Sequence, residues 1–169
     1  MASGKVVVQV LQVTPPLTLN ALNDFRAGGS TPAEAVPVLD FDAATAWYYD
    51  FLCYLAGYGG GGLTFTLPWS ASTATSGQTR WEAAVRRLQD DAEDIDAAHT
   101  YDFNGVSDTA PSASGEVSYP TIAFTDGADM DSWADGEMAI VRVRRNVAHG
   151  DDNMSGDAEL WYPPIGKET

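Results

Sequence analysis

Leu63, Phe65, Leu67 and Trp69 alternate with Thr64, Thr66 and Pro68, so every second side chain of this stretch is apolar. An extended chain places successive residues on opposite faces, whereas a helix needs apolar positions three and four apart. The segment therefore predicts a half-buried strand, and comparable text recurs along the chain. Residues 6–13 are dense in valine and stop at Pro15-Pro16, where two backbone donors are missing. Residues 36–42 predict a short strand whose start, at Pro37, lies on a sheet rim. Residues 101–103 predict a brief strand, and 121–125 another that ends in the turn pair Asp126-Gly127. In 137–147, Val141 and Val143 fall on one side and Arg142 and Arg144 on the other, and 157–162 reads as the returning hairpin partner before Pro163-Pro164. Gly, Pro, Ser and Thr separate about eight such segments, without βαβ alternation or internal repeats, which indicates an all-β sandwich or jelly roll.

Other stretches are ambiguous. Trp47 through Leu55 fits a buried strand or a short helix, and Asp129–Trp133 has room for one helical turn. Trp81, Ala84, Val85 and Leu88 sit at i, i+3, i+4 and i+7, so their spacing predicts a helix, while Trp81, Ala83 and Val85 would suit a strand. Residues 18–31, with Gly28-Gly29, read as an arm or long loop. The division is thus an N-terminal strand and arm over 1–35 and a sandwich domain over 36–169.

With 24 Asp and Glu against nine Lys and Arg, the net charge is −15. Such a surface repels polyanions, and the only basic groupings are Arg86-Arg87 and Arg142, Arg144, Arg145, which argues against nucleic acid as a partner. No apolar run approaches the ~20 residues of a membrane-spanning helix, and the N-terminal text reads as a strand rather than a secretion signal. The lone Cys53 has no intramolecular disulfide partner and reads as a buried small hydrophobe. No GxSxG, HExxH, Walker or GxGxxG pattern occurs, and His99 and His149 lie fifty residues apart in polar loop text, so no catalytic residue is assigned. Asp90, Asp91, Glu93, Asp94 and Asp96, and again Asp151, Asp152, Asn153 and Asp157, offer hard oxygen ligands of a kind that suits calcium. Their spacing does not fit an EF-hand, so they read as solvated turns, with no metal and no cofactor assigned. Five tryptophans and seven tyrosines admit sugar stacking, but Trp47, Trp69, Trp81 and Trp161 sit among apolar neighbours and read as core.

Several phrases taken together resemble a family of small tailed-phage and prophage virion β-sandwich proteins. They are Leu39 to Asp42, Tyr58 with Gly59–Gly62 and Leu63-Thr64, then Trp69 with Thr73–Gly77 and Trp81. They continue with Phe124 to Asp131, Gly136-Glu137, Val141 to Arg145 and Met154 to Leu160. The resemblance covers most of 36–162 and implies a jelly-roll-like antiparallel β-sandwich with a strand, not a helix, at 81–88. It also implies a non-enzymatic virion structural protein, a capsid decoration (cement) subunit on the outer capsid surface. Such a subunit would bridge neighbouring copies of the major capsid protein as a homotrimer on local three-folds. Leu19, Leu22 and Phe25 are the expected capsid-docking anchors. The alternative is a tail or tail-fibre-associated adhesion domain that binds host surface glycans.

Overall fold

The structure, a computed structural model, describes residues 4–169. The first three residues of the expected N-terminal extension lie outside it. Twelve strands follow in chain order: β1 (Val8–Thr14), β2 (Leu22–Ala27), β3 (Ala35–Phe41), β4 (Tyr48–Leu55), β5 (Leu63–Thr66), β6 (Trp69–Ala71), β7 (Gln78–Leu88), β8 (Asn104–Thr109), β9 (Thr121–Phe124), β10 (Met138–Arg145), β11 (Ala158–Leu160) and β12 (Ile165–Glu168). One helical turn, Ala128–Met130, precedes β10. All paired strands are antiparallel, in a five-stranded sheet ordered β1-β4-β10-β7-β8 and two smaller sheets ordered β2-β3-β11-β6 and β12-β5-β9. The chain is an antiparallel β-sandwich, the fold class that the alternation implied.

The inward residues follow from the period of two. Tyr49, Phe51, Cys53 and Leu55 of β4 and Ala139, Val141 and Val143 of β10 are buried, in one apolar cluster with Leu39, Phe41, Trp69 and Leu160 and with Leu63, Phe65, Ile122 and Phe124. Each large apolar side chain so buried stabilises the fold by about 1.5–3 kcal/mol. At its centre Trp81 meets Phe41 and Trp69 edge-on, with ring centroids 5.1 and 5.9 Å away. Burial pushes the Cys53 thiol up to about 12, so it behaves as the small hydrophobe expected.

Residues 81–88 are strand throughout, which overturns the helical spacing and agrees with the resemblance. The reason is burial on both faces. Thr79, Trp81, Ala83 and Val85 face the core, while Ala84, on the opposite face, is also fully buried. The segment after β7 folds back over that outer face, where Arg86 donates to the Asp94 and Ala97 carbonyls. A strand covered on both sides loses its polar beat, and its apolar residues then imitate helical spacing.

Five further expectations need correction. The single strand over 63–69 breaks at Leu67-Pro68 into β5 and β6, which belong to different sheets; Pro68 has no N–H to continue a ladder. Residues 101–103 form no strand; Tyr101 and Phe103 instead lie over the Arg142 and Arg144 guanidiniums at 4.3 and 3.9 Å. β11 is not the hairpin partner of β10, because it pairs with β3 and β6. Residues 18–31 contain β2, and β12 follows the double proline where no strand was expected.

Residues 4–35 are therefore woven into the sandwich. β1 pairs with β4 over Val8–Thr14, β2 pairs with β3, and Val7, Val8 and Ala21 are buried. No linker separates them from the rest, since β3 begins at Ala35. The opposite end of the chain joins the same edge: Val7 N–H donates to Gly166 O at 3.2 Å and Glu168 N–H to Lys5 O at 2.9 Å.

Candidate functional site

Each of the two histidines makes a local contact. His149 Nδ1 accepts from the Asp151 backbone N–H, and Asp151 in turn accepts from Ser107 Oγ at 2.8 Å. The carboxylate thus stands between serine and imidazole, which leaves the serine without a base against it. His99 packs edge-on against Tyr101, 4.8 Å between centroids.

All seven arginines face carboxylates: Arg26 pairs with Glu159, Arg80 and Arg144 with Glu82, Arg86 with Glu93, Arg87 with Glu137, Arg142 with Asp50 and Arg145 with Asp152. The basic groupings of the sequence are neutralised where they stand, and the acidic excess is what solvent sees. The second acidic stretch is likewise occupied. Asp152 takes the Arg145 guanidinium, Asn153 Oδ1 accepts from Gln78 N–H, and Asp157 Oδ1 from Ala43 N–H. Among the described residues no three His, Cys, Asp or Glu side chains are grouped so as to hold a metal ion, and no helix is long and apolar enough to cross a membrane.

Two surface features bear on the expected docking anchors and tryptophans. The first is the stretch from Leu17 to Phe25 that carries the chain from β1 to β2. Leu17 is 102% exposed, Leu19 53%, Leu22 52% and Phe25 67%. Leu19 holds a φ of +54°, backbone that an L side chain adopts at an energetic cost. Its carbonyl accepts from Tyr48 N–H at 2.7 Å, which anchors the bend to β4. Leu22 lies opposite Asp40 and Phe25 opposite Pro37, so these two side chains project from opposite faces of β2, an edge strand. The structure thus brings Leu19, Leu22 and Phe25 to one edge but not into one flat patch.

The second is a cleft of about 360 Å³ on the outer face of the β2-β3-β11-β6 sheet, lined by Arg26, Glu34, Val36, Ser114, Gly115 and Trp161. Of the four tryptophans assigned to the core, Trp69 and Trp81 are fully buried and Trp47 packs against the core, but Trp161 is half-buried and turned outward. The fifth, Trp133, is the one that joins them inside. The signal was parity: Leu160 faces inward, so its neighbour must face outward. Trp161 Nε1 donates to Ser70 Oγ at 2.8 Å, Ser70 Oγ donates to Glu159 Oε2 at 2.9 Å, and Arg26 Nε meets the same oxygen at 2.7 Å. Arg26 Nη2 donates to the Ala71 and Ser72 carbonyls. Gly115, at φ +85°, passes so close that a Cβ would lie 3.3 Å from Arg26 Cζ.

Beside this network Asp40 stands opposite Glu159, and its buried Oδ1 has no hydrogen-bond partner among the described residues. Burial first, then the charges of Asp157, Glu159, Asp24 and Asp42, raise its carboxyl to about 6. A folded-state value above the unfolded one means that its contribution to stability is complete below about pH 4 and lost as the pH rises through 6. The wild type should therefore gain stability between pH 7.5 and 5. Asp40→Asn should flatten that slope and stabilise by about 1–2 kcal/mol at pH 7.5, after allowance for solvent screening. Asp42, held low by the Ala44 N–H, and Glu137, held low by Arg87, stay ionised across this window. Urea unfolding at the two pH values checks this; an equally steep slope in the variant would refute it.

No family model matches the chain, and no curated protein matches it. Among solved structures the chain is similar to TmCBM61, solved in complex with β-1,4-galactotriose, with a TM-score of 0.39 and 10% identity over 94% of this chain and 88% of that one.

Proposed function

We propose that the chain is a non-enzymatic virion structural protein, a capsid decoration subunit that docks on the outer shell through the edge formed by residues 17–25. The observation that supports docking most directly is Leu19. Folding alone would favour glycine or asparagine at φ +54°, and an exposed leucine there gains nothing from the core. A partner that covers it gives the side chain a use. β2 is the outer strand of its sheet, with Phe25 N–H donating to Asp24 Oδ1, so a strand of the major capsid protein can add to it by displacing that carboxylate, with Leu22 gripping one side and Phe25 the other. The virion context and the trimeric bridge across capsid subunits come from the sequence resemblance, and the acidic, arginine-neutralised surface suits a place away from packaged DNA.

The triple change Leu19→Ser, Leu22→Ser, Phe25→Ser tests this. Exposed positions contribute within about 0.5 kcal/mol each, so the melting temperature should hardly move while occupancy on the particle is lost. Full occupancy with the triple variant would sink the docking edge. A second reading, a tail-associated adhesion domain that binds host surface glycans, is favoured by a separate observation, the outward-facing Trp161.

A further inference from the structure

We propose that the cleft beside Trp161 is a binding site for a neutral saccharide. The inference rests on the adhesion reading for its ligand class and adds the site, its residues and the charge of the sugar.

The cleft's volume of about 360 Å³ falls at the lower end of the roughly 300–1,000 Å³ typical of small-ligand sites. Its indole is fixed before any ligand arrives. Trp161 N–H donates to Pro68 O at 2.7 Å, and the ring nitrogen is tied through Ser70, which is 0% exposed, to Glu159, which is 7% exposed, and on to Arg26. An aromatic plate held this way loses little conformational freedom when something stacks on it. Its ring N–H is already satisfied inside the protein, so what remains to offer is apolar surface, which matches the C–H face of a sugar ring.

The rim supplies the rest of the recognition. Glu34 offers acceptors, Ser114 offers a hydroxyl, and Arg26 lines the wall between them and the indole. Groups that both donate and accept, as sugar hydroxyls do, satisfy such a mixed set best. Charge narrows the class further. Arg26 and Glu159 neutralise each other, and Glu34, Asp24 and Asp40 leave this face of a chain with a net charge of −15 negative, which opposes uronic and sialic acids. A side chain at Gly115 would press on the Arg26 guanidinium in the wall of the cleft.

The test titrates the full chain, Trp161→Ala, Trp161→Phe and Glu34→Gln with a panel of neutral hexose trisaccharides and the corresponding uronic acids. Binding is followed by calorimetry, and thermal melts serve as the folding control. We expect saturable binding of at least one neutral trisaccharide with a dissociation constant of about 0.1–1 mM, a range typical of one small contact surface, and no binding of the uronic acids. Trp161→Ala should weaken it at least tenfold and Trp161→Phe, which keeps a plate, far less. Glu34→Gln, at an exposed position, should weaken it three- to tenfold with an unchanged melt, so the site stays testable even if the alanine variant does not fold. Sugar binding that none of these changes affects would overturn the cleft but leave the adhesion reading standing. Absence of saturable binding to every neutral sugar would overturn both, and preference for the uronic acids would overturn the assignment of charge.

Discussion

Replacing Arg145 by methionine is expected to lower the unfolding free energy by about 3–5 kcal/mol, the range for a buried ion pair that loses one partner. Arg145 occupies the inward side of β10, in line with Val141 and Val143, and is completely buried. Its Nη2 lies 2.9 Å from Asp152 Oδ1 and its Nε 3.0 Å from Oδ2, and it also donates to the Met154 and Gly156 carbonyls. One side chain therefore fastens the whole connection between β10 and β11. Asp152 Oδ2 accepts as well from Arg80 N–H, which ties that connection to β7. Methionine fills much of the same volume but leaves a carboxylate with 3% exposure and two carbonyls without their partner. The double change Arg145→Met, Asp152→Leu should recover part of the loss, because it removes the stranded charge. Urea unfolding decides the matter, and a loss under 1 kcal/mol in the single variant would show that water reaches the site.

Removing residues 1–31 is expected to abolish cooperative folding rather than to release a trimmed domain. The deletion takes away β1 and β2, the edge strands of two different sheets. It removes Val7, Val8 and Ala21 from the core and exposes the flank of β4, where Phe51, Cys53 and Leu55 are each at most 1% exposed in the intact protein. Burial of each valine alone contributes about 1.5–3 kcal/mol, and the uncovered neighbours lose comparable amounts, against a typical total of 5–15 kcal/mol. A cooperative melt within about 5 °C of the full chain would show that the sandwich closes without them. Contacts with the capsid are therefore better probed by the point changes at Leu19, Leu22 and Phe25 than by truncation.

Which strands the sequence reveals depends on how each is covered. β4, β9 and β10 keep a contrasting outer face, and β5, though buried on both sides, keeps polar Thr64 and Thr66 on its outer side, so β5, β9 and β10 can be read directly and β4 survives as one of two readings. β7 is buried on both sides and takes on helical spacing. β2 fails for the opposite reason: it lies at an edge with both faces largely exposed, so no alternation is imposed on it. β12 is created by tertiary context, since Gly166 and Lys167 have little strand preference and the segment is held by the free side of β5. At the candidate sites, the parity of Leu160 against Trp161, and of Val143 against Arg145, was present in the text. The Trp161-Ser70-Glu159-Arg26 chain was not, because its bonded partners are up to 133 residues apart and meet only when β2, β6 and β11 come together.

The first and last described segments lie side by side, with Val6 bridged antiparallel to Lys167 and Glu168 bonded to Lys5. Tension applied through both ends would load these hydrogen bonds one after another, as when a zipper is opened, instead of all at once in shear. The domain is thus poorly suited to carry a pull from end to end, as a link in a fibre must. It is better suited to being gripped across an edge or a face, where a load spreads over many contacts together.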